Sequence, residues 1–171
     1  IGSGIITTAG KAGTVHEEAI QAAVESMATL NKGAADAMIE VGVNAATDVT
    51  GFGLLGHLSQ MMKASGTSAA LNWSQIPLLP GVLELAKAGS VSAGTARNME
   101  ALEGVVNLKD GISDIQFTIL ADAQTSGGML ISAAEERADE LVKRLIVNQT
   151  PYNIVIGKVF EGNPGIITVL Q

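Results

Sequence analysis

At 171 residues, 47% of them apolar, the chain is long enough to bury the core of one domain. Its 17 acids against 10 bases leave a net charge of −7 and no basic face for phosphate neutralisation, which argues against nucleic acid as a partner. Cysteine is absent, which excludes disulfides, thiolate zinc sites and a thiol nucleophile within these residues, and no apolar run approaches the roughly 18 residues that span a bilayer.

With one Trp, one Tyr and three Phe, the core must be built from Ala, Val, Ile, Leu and Met. Twenty glycines suit the tight strand–helix turns of a mixed α/β domain better than a helical bundle. No basic, cleavable leader is visible, and a soluble cytoplasmic protein is the expectation.

In chain order, the β-branched run Ile5-Ile6-Thr7-Thr8 predicts a strand over residues 4–8. Ile1 is not a translation start, so this strand reads as entered from elsewhere and the chain as a fragment or processed product. Thr14 and Glu17 have the capping-box spacing, and Ile20, Ala23, Val24, Met27 and Leu30 mark one face of the helix they open. A second helix is expected over 34–41, closed by Gly42, and a strand over 43–47.

The most informative stretch follows: Thr47-Asp48-Val49-Thr50-Gly51-Phe52-Gly53-Leu54-Leu55-Gly56-His57-Leu58. A carboxylate at a strand end, beside a glycine turn into a helix over 51–64, suits a metal–phosphate ligand. The acid would hold the cation while free backbone N–H groups face the anion. Asp48 is equally placed to cap the helix, with Thr50 as a rival cap. The glycines also match the dinucleotide fingerprint G-x-G-x-x-G, but that mechanism needs an acid about 20 residues on. None stands between Asp48 and Glu84. His57 reads as a structural histidine, since no second His or Cys stands at metal spacing, and His16 reads as exposed.

A strand over 67–73 comes next, and from 74 to 111 the pattern weakens. Pro77 and Pro80 break it, a short helix over 81–88 ends at Gly89, and residues 95–102 suggest another. Arg97-Asn98 is a polar pair that suits an anion, although pairing of Arg97 with a surface acid or at a domain contact is the plainer reading. Residues 112–120 fit either period, and helix is preferred.

Gln124-Thr125-Ser126-Gly127-Gly128, preceded by Asp122, is a second glycine turn whose hydroxyls and N–H groups suit phosphate; it also suits an ordinary turn. A strand over 129–132, a capping box from Ser132 to Glu135 with the helix after it, and strands over 152–160 and 166–170 joined by a hairpin-type turn complete the chain. The alternation predicts an α/β (α+β) domain, a mixed β-sheet covered by helices, spanning residues 1–171 as one unit.

The stretch from Thr47 to Leu58 resembles the signature of selenophosphate synthetase (selenide, water dikinase). So does Asp122-Ala123-Gln124-Thr125-Ser126-Gly127-Gly128-Met129-Leu130, close to the family's D-P-Q-T-S-G-G-L-L. The stretches Gly2-Ser3-Gly4-Ile5-Ile6-Thr7-Thr8-Ala9, Ile76-Pro77-Leu78-Leu79-Pro80-Gly81-Val82 and Gly94-Thr95-Ala96-Arg97-Asn98 fall in the family's order. Ala123 stands where proline is usual and Met129 where leucine is usual.

The resemblance implies the carboxy-terminal domain of that enzyme, in a superfamily with aminoimidazole ribonucleotide synthetase and hydrogenase maturation proteins. Such enzymes convert ATP, selenide and water to selenophosphate, AMP and phosphate, with Mg²⁺ and K⁺. Their cysteine or selenocysteine, their lysine and several metal-binding aspartates lie in an amino-terminal half. The resemblance therefore implies no catalytic residue in this chain, one metal ligand, Asp48, and a nucleotide-site wall that includes Thr50, Gly51, Gly53, Thr125, Ser126 and Gly127. It further implies that the chain is inactive alone and that dimerisation belongs mainly to the other half.

Overall fold

The computed structural model describes residues 1–171. Its elements run α1 (Ser3–Ala12), α2 (Glu17–Ala28), α3 (Lys32–Val41), β1 (Ala45–Asp48), α4 (Gly53–Ser65), β2 (Ser68–Asn72), α5 (Val82–Lys87), α6 (Ala93–Ala101), β3 (Val106–Leu108), α7 (Asp114–Leu120), β4 (Met129–Ser132), α8 (Ala138–Val147), β5 (Gly157–Phe160) and β6 (Ile167–Leu170). The domain is α/β as expected, but it holds two sheets rather than one. β1 and β4 form an antiparallel ribbon, while β3-β6-β2-β5 form a four-stranded mixed sheet. No helix is long and apolar enough to cross a membrane.

Three apolar clusters hold the layers together. The largest joins Leu54, Leu55, Leu58 and Met62 of α4 to Leu71, Ile167 and Val169 of the mixed sheet. A second packs Ile5 and Ile6 of α1 on Ala19, Ala23, Val82 and Ile119. A third packs Ala37 and Val41 of α3 against Leu141 and Leu145 of α8, with Met129 and Ile131 of the ribbon. Burial of these aliphatic side chains supplies the main stabilising term, about 1.5–3 kcal/mol for each Leu, Ile, Val or Met fully removed from water.

Four expectations fail, each for a physical reason. Residues 4–8 are not a strand but the start of α1. Their β-branched side chains are overruled by a cap supplied from about 120 residues away, while Thr7 and Thr8 turn their hydroxyls back to the carbonyls of Ser3 and Gly4. Neither expected capping box forms. Thr14 Oγ1 donates to Ala9 O and His16 stands at the N-cap of α2, while Ser132 ends β4 and a 3-10 turn, Glu135–Arg137, precedes α8. The box that does form is Ser113 with Gln116, and it settles residues 114–120 as helix.

The closing strands do not form a hairpin either. β2 lies between them, antiparallel to β5 and parallel to β6. The turn that was expected to close the hairpin instead covers the start of β2, where Ser68 Oγ donates to Asn163 O and Gly165 N–H to Thr67 O. The short strand β3 falls where the sequence pattern is weakest; it pairs with β6 in parallel.

Candidate functional site

β1 ends on Asp48, and the chain turns through residues 49–52 into α4. The buried Val49 continues the β1–β4 ladder: its N–H donates to Gly128 O at 2.9 Å and its carbonyl accepts from Gly127 N–H at 3.1 Å. A side chain at Gly127 would collide with that Val49 carbonyl, so the glycine is required by close approach. The Thr50 carbonyl accepts from both Gly53 N–H and Gln124 N–H, at 3.0 Å each. The two glycine motifs, distant in sequence, are thus zipped together along their backbones.

Gly53 lies at φ +69°, and a Cβ there would stand 2.7 Å from the carbonyl of Ala121. That approach places the start of α4 against the end of α7. Asn98 of α6 ties the same two points, its Nδ2 donating to Gly51 O at 2.9 Å and Ala121 O at 3.0 Å.

Asp122 and Gln124 are buried behind the turns and hold the start of α1. Asp122 Oδ2 accepts from Gly4 N–H and Ile5 N–H, and Oδ1 accepts from Thr95 Oγ1. Gln124 Oε1 accepts from Gly2 N–H, Ser3 N–H and Ser3 Oγ, and its Nε2 donates to Asp122 Oδ2. The free N–H groups of the helix start are therefore satisfied by side chains of the second motif. Burial pushes the Asp122 carboxyl above the usual carboxylate range, against the downward pull of these hydrogen bonds.

On the outside, Asp48, Gly51, Phe52, Thr125 and Ser126 are exposed, while Thr50 and Gly127 are half-buried. Asp48 does not cap α4: the N-cap is Phe52, with no side-chain bond. Thr47 donates to the Asp48 backbone carbonyl and leaves the carboxylate free. Nor does Thr50 cap that helix, because its N–H and hydroxyl both meet His57 Nε2, at 3.0 and 3.1 Å. Ser126 is held at φ 48°, in the left-handed region.

The expected site residues Asp48, Thr50, Gly51, Gly53, Thr125, Ser126 and Gly127 therefore stand on two joined turns, with Gly53 buried beneath. No group of three or more His, Asp or Glu side chains gathers to hold a metal. A Mg²⁺ ion takes about six oxygen ligands, so the free Asp48 carboxylate fits as one ligand of an incomplete set. His16 is exposed, as expected. Arg97 is exposed on α6, and none of the three ion pairs in the chain includes it, so of the two expected pairings, a surface acid or a domain contact, the first is not formed. Sequence reasoning missed the caps made by Asp122 and Gln124, since no local pattern reports a partner about 120 residues away. It also missed the tie made by Asn98.

The dinucleotide alternative fails on topology. β1 lies in an antiparallel ribbon, and the next strand, β2, belongs to the other sheet. A parallel βαβ unit is absent where that fingerprint needs one.

Comparison with known proteins identifies relatives of the chain and of its fold. The family profile described as AIR synthase related protein, C-terminal domain, matches residues 2–169. The selenide, water dikinase of Caldanaerobacter subterraneus subsp. tengcongensis is 44% identical over 164 residues, covering 94% of this chain and 46% of that protein. That of Clostridioides difficile is 41% identical over 170 residues, covering 99% and 49%. The chain thus spans about half the length of the curated relatives it matches, which places it on their carboxy-terminal half. Among solved structures, hydrogenase maturation protein HypE superposes with a TM-score of 0.69 at 14% identity, over 98% of this chain and 46% of that one. HypE in complex with ATP superposes at 0.62, also at 14% identity, over 98% and 44%. At that identity the likeness is one of fold.

Proposed function

The chain belongs to the AIR synthase related family as its C-terminal domain, and from that premise we propose that it is the carboxy-terminal half of a selenophosphate synthetase. The whole enzyme would make selenophosphate, AMP and phosphate from ATP, selenide and water. One observation carries this reading: the two motifs that resemble the selenide, water dikinase signature are joined backbone to backbone, and the joint leaves one free carboxylate, Asp48, on its outer rim.

In this reading Asp48 contributes one oxygen ligand to Mg²⁺ bound with the ATP phosphates. Bound there, the cation would offset phosphate charge during transfer. The chain's own residues do three things around it. Val49 and Thr50, fixed by the ladder and by Gln124, hold the Asp48 backbone still. Gly51 and the exposed Thr125 and Ser126 line the phosphate side of a wall, with backbone N–H and hydroxyl donors. Asp122 and Gln124 brace that wall from behind through α1. The nucleophile, the lysine and the remaining metal ligands belong to the other half. The present chain is therefore inactive alone, and the full-length enzyme is a cytoplasmic homodimer joined through the other half. K⁺ is assigned to no residue here.

The test is Asp48→Asn in the enzyme carrying both halves. The exposed, unbonded carboxylate leaves stability within about 0.5 kcal/mol of wild type. ATP turnover should fall by about a hundredfold or more, the upper range for disturbing a metal site. Wild-type turnover in that variant sinks the metal-ligand role.

A further inference from the structure

The turn that carries Asp48 is held on its inner side by a histidine. His57 lies one turn into α4, and its ring reaches back seven residues to the Thr50 backbone. Thr50 N–H donates to Nε2 at 3.0 Å, and Thr50 Oγ1 lies 3.1 Å from the same nitrogen. A nitrogen that accepts from a backbone N–H carries no proton, so the ring proton sits on Nδ1. The Phe52 ring packs against the imidazole at a centroid distance of 5.5 Å, tilted by 54°.

Counted together, these contacts leave little freedom around Asp48. Both backbone groups of Val49 are spent on Gly127 and Gly128, the Thr50 carbonyl accepts from Gly53 and Gln124, and the Thr50 N–H is spent on His57. Without His57 that N–H has no partner among the turn's own carbonyls. The turn would lose its one side-chain anchor from α4, two residues from the free carboxylate.

We infer that His57 is a positioning residue: its neutral, Nδ1-protonated ring holds the Thr50 N–H so that the Asp48 carboxylate is aimed before a divalent cation arrives. The inference rests on the reading of Asp48 as a metal ligand. Preorganisation of this kind is worth a tenfold to hundredfold difference in metal affinity where a partner of a ligand is lost, on the order seen for outer-shell groups.

The test uses the enzyme carrying both halves, with Mn²⁺ as the probe cation followed by electron paramagnetic resonance, alongside kcat and KM for Mg-ATP. His57→Leu keeps an apolar side chain and removes the acceptor. His57→Gln places an amide oxygen close to where Nε2 stood. The expected result is Mn²⁺ affinity weakened about tenfold or more in His57→Leu, with kcat lowered, and recovery to within about threefold in His57→Gln. Selective ¹⁵N labelling of histidine in the wild type should show Nε2 bare and the proton on Nδ1 at neutral pH. A protonated Nε2 overturns the inference even if His57→Leu does not fold. Wild-type Mn²⁺ affinity in His57→Leu, with affinity lost in Asp48→Asn, overturns the positioning role alone. Wild-type affinity in Asp48→Asn overturns the metal reading and the inference with it.

Discussion

Asp122 shows how an acidic residue beside a glycine turn can serve structure rather than chemistry. Its Oδ2 accepts from Gly4 N–H, Ile5 N–H and Gln124 Nε2, and its Oδ1 from Thr95 Oγ1. Asparagine can reproduce this set: its oxygen accepts the first three bonds, and its amide donates to Thr95 Oγ1, whose own hydrogen can turn to Ser92 Oγ at 3.0 Å. Alanine cannot, and it strands buried donors that cost about 1–3 kcal/mol each. Asp122→Ala should therefore lose about 3 kcal/mol or more, a fall in melting temperature of about 6–12 °C for a chain of this size. Asp122→Asn should stay within about 1 kcal/mol of wild type near neutral pH. The sign of the pH effect follows from the raised carboxyl pKa, which burial causes. The folded state binds that proton more tightly than the unfolded chain, so the associated stability is complete below the unfolded value near pH 4 and is lost as pH rises through the folded value. The stability of wild type relative to Asp122→Asn should thus be greatest in acid and decline towards neutrality. A difference that grows with pH in paired thermal melts would overturn this account. The same residues show what could be read in advance. The glycines and hydroxyls of residues 124–128 were legible as a turn, and Asp48 as a carboxylate at a strand end; that a ladder joins the two was not. The role of Asp122 was not, because its partners at the start of α1 lie about 120 residues away.

Among the elements, the entry to α4 shows glycine used for two different ends. Gly53 sits at φ +69° with a virtual Cβ 2.7 Å from the Ala121 carbonyl, whereas a Cβ on Gly51 would meet nothing within 4 Å. Gly53→Ala should therefore cost at least about 2 kcal/mol, from left-handed strain and from displacing α4 off α7. Gly51→Ala should keep the fold within about 0.5 kcal/mol; its effect, if residue 51 borders phosphate, belongs to KM for Mg-ATP. Equal melting temperatures for the two variants would remove the packing argument. Helices α2 and α4 were legible because their apolar positions recur at helical spacing, and α3 and α5 because glycines close them. The α1 segment was misread because two isoleucines and two threonines favour a strand locally, and only the distant cap reverses that preference. The sheet order was hidden for a related reason. Residues 152–170 alternate like a hairpin, but nothing local reports that β2, some 90 residues earlier, lies between the two strands.

At the scale of the whole molecule, the candidate site is a wall rather than a pocket. One cleft lies between α1 and α2, lined by Ile6, Ile20 and Val24, and another between β1 and α4, lined by Ala46, Thr47 and His57. Neither is lined by Asp48, Thr125, Ser126 or Gly127. Small-molecule sites enclose about 70–90% of a bound ligand, which an exposed rim of this kind does not do. Asp48 offers one carboxylate where Mg²⁺ takes about six oxygens, and a net charge of −7 disfavours approach of a nucleotide triphosphate. These terms act in the same direction. In the isolated chain, once a cooperative melt has shown it folded, calorimetry with Mg-ATP should give no isotherm tighter than about 1 mM, equivalent to roughly 4 kcal/mol. In the enzyme carrying both halves, binding should appear, and it should weaken in Asp48→Asn. Micromolar affinity in the isolated chain, roughly 8 kcal/mol, cannot come from one carboxylate and two exposed turns. That result would make the domain an autonomous nucleotide binder and displace the shared-site reading altogether.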